Sequence, residues 1–232
     1  MPHSVARLLA LVAVVGPMAR VHVGEQLWPD ADQARASANL RSTLVRLNAI
    51  DDQFLEVNGE VLTLAEKVSV DVDAVLTWVH ATIYGAATQA AISAPPASIG
   101  REILQGWEEP WLTDPRERIR LLQTQALETA AERLISSGRP AEALPYALAA
   151  VQAQPWSESA NRLIIEIHAR RGDPSNALRR FQRFRAALER ELWVQPGPEM
   201  LASIRQLYPF GNFHGGTPAR PANPQTKTRR DS

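Results

Sequence analysis

Cysteine is absent from the 232-residue chain. Disulfides, thiol catalysis, iron–sulfur clusters and cysteine-ligated zinc are therefore all excluded, and the composition suits a reducing compartment. Histidine is sparse, and His3, His22, His80, His168 and His214 are scattered with no HxxxH pair. No metal site is expected. Long apolar runs are missing too. LLALVAVV after Arg7 falls far short of the roughly 18 residues that cross a bilayer. The GPMARV behind it puts proline and arginine where a secretory signal carries small residues for cleavage. It reads as a buried helix, and no membrane partner is expected. Neither GxSxG, HExxH nor a phosphate-cradling GxxxxGK[ST] occurs. The acid pair Glu108-Glu109 lies between Trp107 and Pro110 without a neighbouring base. No enzyme activity and no cofactor are expected.

Excess charge of either sign is absent as well: 25 basic side chains balance 25 acidic ones. The balance hides an asymmetry. Residues 1–73 hold six basic side chains against ten acidic, 74–207 hold fifteen against fourteen, and the tail from 208 holds four against one. A nucleic-acid-binding domain usually leaves a basic footprint, so the acidic first third speaks against DNA as a partner.

What is present is mainly helical pattern. Ser4–Val15 reads as a helix closed by Gly16-Pro17. RVHVGEQLWPD follows as a short helix ended by Pro29. Asp30 or Asp32 then caps a longer helix reaching about Asn48. FLEVNGEVLTL places two β-prone runs around Asn58-Gly59, the residues of a type I′ turn, and in that register Leu55 faces Leu62. Three helices and a β-hairpin is the order of a winged helix-turn-helix.

An internal repeat follows. GRPAEALPYAL from Gly138 and GDPSNALRRFQ from Gly172 are offset by 34, the length of a tetratricopeptide helix hairpin. Glycine permits the tight exit from one helix and proline opens the next. Ile119–Ile135 and Ala160–Ala169 supply the first helices of the two hairpins, with Asp73–Ile83 and Glu199–Leu207 as caps. GAATQAAISAPPAS between Gly85 and Ser98 reads as a connector. Residues 209–232 have almost nothing to bury and are expected to be disordered.

LWPDADQARASANLRSTLVRL, the hairpin, SVDVDAVLTWV, GWEEPWLTDPRERI and the two G-x-P-A-L repeats, in this order, resemble bacterial transcriptional activator domain proteins of the antibiotic-regulatory type. The resemblance runs from about Ser4 to Tyr208. It implies a response-regulator-like winged helix before a tetratricopeptide-like domain, and binding to direct repeats at promoters in support of RNA polymerase. The ATPase module of longer members is not expected. The resemblance also implies an N-terminal β-sheet beneath the first helix. Residues 1–72 carry none, so the apolar face of Val5, Leu8, Leu9 and Val12 is expected to lack that cover. Asn48 stands where the family tends to place a second basic residue.

The helix over 34–48 carries two stripes. Ala36, Leu40, Leu44 and Leu47 form the buried one. Arg35, Asn39, Ser42 and Arg46 form a polar one, and Arg41 stands beside it as a phosphate clamp. Arginine reads guanine and asparagine reads adenine bidentately, while serine or arginine holds phosphate. The same residues also suit any solvated helix face. The wing tip, Glu56 to Glu60, is acidic and is assigned no DNA role. Six tryptophans (Trp28, Trp78, Trp107, Trp111, Trp156, Trp193) read as packing residues. Arg116, Glu117 and Arg118 read as a solvated helix start. The run Arg170-Arg171, Arg179, Arg180, Arg183 and Arg185 reads as a charged face or a seat for an acidic partner, and Lys227, Arg229 and Arg230 as a weakly attractive tail.

The expected architecture is mainly α: a truncated winged helix-turn-helix with one β-hairpin over 1–72, then an all-α tetratricopeptide-like domain over 73–208. Two functions stay open. One is a cytoplasmic regulator, nucleoid-associated when bound, that holds double-stranded promoter DNA and contacts RNA polymerase or a second protomer of a homodimer. The other is a protein-interaction module with a degenerate DNA-binding domain.

Overall fold

The computed structural model describes residues 1–50, 53–85 and 94–208. Residues 86–93 of the expected Gly85–Ser98 connector, and the expected 209–232 tail, lie outside them. The chain is mainly helical with one small antiparallel sheet, and it divides into two compact units. The first holds Met1–Ala130 with Gln152–Gln154, and the second holds Ala131–Val151 and the chain from Pro155.

In the first unit α1 (His3–Val15) ends where Gly16 takes a positive φ of 96° and its N–H returns to the Val12 carbonyl. A two-residue strand β1 (Met18–Ala19) leads directly into α2 (Arg20–Leu27), and a short turn leads on to α3 (Gln33–Asn48). Strands β2 (Leu55–Asn58) and β3 (Val61–Leu64) form the wing, and β1 pairs with the free side of β3 to give the order β1-β3-β2. The sheet therefore has one strand more than the expected hairpin. The hairpin register also differs from expectation. Leu55 pairs with Leu64 and Asn58 with Val61, leaving Gly59-Glu60 as the loop. Gly59 alone takes a positive φ, so the turn has glycine first instead of the Asn-Gly type I′ arrangement. A slip of two residues leaves every side chain on its original face.

The core of this unit gathers Val5, Leu8, Leu11 and Val12 of α1 with Val23, Leu27, Leu40, Leu47 and Leu62. The α1 face is not bare, contrary to expectation. Trp111 and Leu112 belong to the same core, and Ile103, Leu104 and Trp107 pack against it. A bidentate ion pair accompanies that cover. Arg7 Nε donates to Glu109 Oε1 at 2.6 Å and Arg7 Nη2 to Glu109 Oε2 at 2.8 Å. Arg7 Nη2 also reaches the Leu27 carbonyl, and Trp111 Nε1 donates to Glu109 Oε2. Helix α4 (Asp71–Tyr84) buries Val72, Val75, Trp78 and Val79. After a 3₁₀ turn at Pro110–Leu112 comes α5 (Thr113–Ser136), which runs on into the second unit.

The second unit contains α6 (Pro140–Ala153, all but its last two residues), α7 (Glu158–Arg170), α8 (Pro174–Leu192) and α9 (Pro198–Leu207). The repeat is expressed as its spacing predicts. Gly138 and Gly172 sit at positive φ of 76° and 72°, and each is followed two residues later by the proline that opens α6 or α8. Ile165, Ala177, Phe181, Phe184 and Leu188 interlock between α7 and α8, and Met200 and Ile204 of α9 close the cluster. Asn161, 1% exposed, holds the approach to α7. Its amide donates to the Pro155 and Ser157 carbonyls, and its oxygen accepts both Nε and Nη2 of Arg180.

Candidate nucleic-acid interface

Helix α3 starts at Asp32, whose carboxylate accepts the Arg35 backbone N–H at 2.7 Å and so satisfies one orphan donor of the first turn. Arg46 lies in the last turn, where the helix dipole favours a cation. Ala36, Leu40, Thr43 and Leu47 face inward and are at most 4% exposed. Thr43 takes a place on this stripe, whereas Leu44 is only half-buried. Helix α2 crosses behind α3 at Gly24, where a Cβ would stand 3.4 Å from the Ala36 Cβ. This close crossing fixes the helix-turn-helix pair and leaves the opposite side of α3 open.

Arg35, Ser42 and Arg46 are exposed along one flank of α3, with Asn39 half-buried on the same row. Arg41 is exposed on a different row. Among the described residues, no hydrogen bond or ion pair engages the guanidinium of Arg35, Arg41 or Arg46. The helix holds three of the six basic side chains in residues 1–73 and none of the ten acids. The acidic balance of this region is thus borne by other segments, and the face of α3 is cationic.

Arg20 was not singled out by sequence pattern. It opens α2, its backbone N–H binds the Glu60 carbonyl, and its Nε is buried without a partner. It lines the groove between α2 and α3 together with Arg41, Ser37 and Glu60. The signal available in the sequence was its position at the start of a helix just after Gly16-Pro17. The wing offers no cation, since Glu56, Asn58, Gly59 and Glu60 are exposed and the acids keep the tip negative.

Other sequence readings need correction. Trp111 and Trp78 pack, at 8% and 5% exposed, but Trp193 is 68% exposed and Trp156 40%. Trp193 follows α8 in the left-handed region, φ 58°, which turns its ring away from the α7–α8–α9 core. Arg116 is more than a solvated helix start, because it donates to the Ile103 and Leu104 carbonyls and pairs with Glu102. Within the basic run, Arg180 is directed inward to Asn161. Burial, and then Arg183 beside it, pulls its guanidinium below the ordinary arginine range. Among the described residues no acidic or histidine cluster is arranged to hold a metal, and no helix is long and apolar enough to cross a membrane.

No curated protein matches the chain in sequence. Among solved structures, Mycobacterium tuberculosis EmbR, captured in complex with a low affinity phosphopeptide, has the same fold, with a TM-score of 0.55 at 19% identity. The match covers 89% of this chain and 59% of that one, so the chain spans little more than half of EmbR. Residues 99–207, a little under half of the chain, match the model of the bacterial transcriptional activator domain.

Proposed function

We propose that this regulator binds double-stranded promoter DNA by inserting α3 into the major groove. In this reading it is a cytoplasmic, non-enzymatic protein that associates with the nucleoid when bound. The observation that carries it is the segregation of charge: one rigid helix holds three exposed, unpartnered arginines and no acid. Arg35, Asn39, Ser42 and Arg46 read base edges, and Arg41 clamps a phosphate with Arg20 alongside it. Residues 1–72 do the reading. Residues 73–208 form the repeat domain that contacts RNA polymerase or a second protomer. The acidic wing supports a second reading, an interaction module whose DNA-binding surface is degenerate.

The double substitution Arg41→Ala and Arg46→Ala decides between them in a gel-retardation assay across a salt series. Each lost phosphate contact lowers the slope of log affinity against log salt by about one. DNA reading predicts weaker binding and a shallower slope. Unchanged, salt-sensitive binding would remove α3 from the interface. If the unsubstituted protein retards no duplex at all, the interaction-module reading stands.

A further inference from the structure

The outermost row of α3 is not the arginine–asparagine row. At about 100° per residue, residues one position before the buried stripe Ala36, Leu40, Thr43, Leu47 lie on its flank. Those two positions before it point almost directly away from the core. Arg35, Asn39, Ser42 and Arg46 are the flank, which is why Asn39 is half-buried. The outward row is Ala34, Ala38, Arg41 and Val45, all exposed, with Val45 at 70%. Arg41 leans from this row towards the other flank, so arginines stand on both sides of an apolar centre made by Ala38 and Val45.

A single exposed valine is ordinary on a protein surface. Its setting here is not. Valine is a poorer helix former than the alanine, lysine or glutamate usual at an exposed helical position, so Val45 contributes nothing to α3 that those would not. It touches no core, and cations flank it. Small side chains along the outward row also let the helix backbone come close to whatever it faces. A surface that is apolar at its centre and cationic at both margins matches one feature of duplex DNA. In the major groove the thymine 5-methyl group is an apolar spot on the base edge, with phosphates along both walls.

Resting on the DNA-binding reading above, we infer that Val45, with Ala38 about two turns before it, is a specificity determinant that packs on a thymine methyl at the floor of the major groove. The polar row supplies hydrogen-bond readout on one side, and Arg41 fixes the backbone on the other. The site this chain prefers therefore contains a thymine that is recognised by its methyl group alone.

The experiment uses the full chain and a duplex library with a randomised core. Sequences retained by the protein define its site, and each thymine of that site is then replaced singly by deoxyuridine, which removes only the methyl. Loss of one buried methyl contact is worth about a three- to tenfold drop in affinity. We expect a drop of that size at one or two thymines. Val45→Ala should bind the thymine duplex weaker by a similar factor, lose its sensitivity at those positions, and keep the salt slope of the unsubstituted protein, since an apolar contact releases no counterions. Arg41→Ala should retain the uracil sensitivity and flatten the slope. If a site is selected but deoxyuridine is neutral at every thymine, or if Val45→Ala keeps the full uracil penalty, the assignment to Val45 is overturned while DNA binding stands. If no sequence is retained, the DNA-binding reading falls and Val45 with it.

Discussion

Glu109 tests whether the segment before α5 holds the first unit together. Its carboxylate meets Arg7 through two charge-assisted hydrogen bonds, at 2.6 and 2.8 Å, with side-chain exposures of 10% for Glu109 and 18% for Arg7. Removing one partner of a buried pair costs about 3–5 kcal/mol, because the other charge is left uncompensated. Arg7 keeps the Leu27 carbonyl and some water access, which places Glu109→Ala at the lower end, about 3 kcal/mol. For a chain of this size that lowers the unit's midpoint by about 6–12 °C. Arg7→Met should cost about 2–3 kcal/mol, and the double variant should fall short of the sum by about 2 kcal/mol, the coupling within the pair. Hydrogen exchange under mild denaturant reads this locally. Peptides covering 3–15 and 103–112 should lose protection together, and those of α7 and α8 should not. Additive single effects, within about 0.5 kcal/mol, would refute the argument, as would a Glu109→Ala loss below 1 kcal/mol.

Two further outcomes concern the second unit. Asn161→Ala strands the Pro155 carbonyl and the inward Arg180 guanidinium, while the Ser157 carbonyl keeps the backbone N–H of residue 161, so denaturant unfolding should show a loss of about 2–3 kcal/mol. Asp173 caps α8, and hydrogen bonds from the Asn176 side chain and backbone hold its carboxyl below the usual aspartate range, with His168 adding a smaller push. A depressed folded pKa means that the unfolded chain takes up the proton first. The cap's contribution is therefore complete above the ordinary aspartate pKa and is lost as pH falls through the lower folded value. Melting curves between pH 5 and about pH 2 should show this acid slope for the second unit and a reduced slope in Asp173→Asn.

Local signals in the sequence led to local structure. Gly138 and Gly172 mark their turns because a positive φ needs glycine at that place, and the 34-residue offset follows from repeating one hairpin. The inward stripe of α3 was nearly complete because helical periodicity alone determines it, with Thr43 the residue that an apolar search overlooks. The wing register failed for a physical reason. Leu55 and Val57 present the same face to Leu62 and Leu64 in either alignment, so alternation cannot separate registers two residues apart. Strand β1 is two residues long, too short to carry a period. Arg7 and Glu109 are 102 residues apart, and nothing in either neighbourhood announces the other. The outward row of α3 escaped notice because it is partly apolar, and a search for hydrogen-bonding side chains passes over Ala38 and Val45.

The proposed boundary at residue 72 is not a boundary of folding, since the first compact unit runs on to Ala130. Leu40 and Leu47, the back of the proposed reading helix, share one core with Trp111 and Leu112, which lie inside the stretch matched to the activator domain. A reading element must hold its side chains to within a fraction of an ångström of the base edges, and it can do so only if its supporting shell is packed. For α3 that shell comprises α1, α2, β3 and the 103–112 segment, with the Arg7–Glu109 pair tying the last of these to the first. A fragment ending at residue 72 would keep every residue assigned to DNA yet leave Val5, Leu8, Leu11 and the Arg7 guanidinium without the groups that cover and neutralise them. The geometry of the arginine rows thus depends on residues of the 103–112 segment, outside the stretch proposed to read DNA.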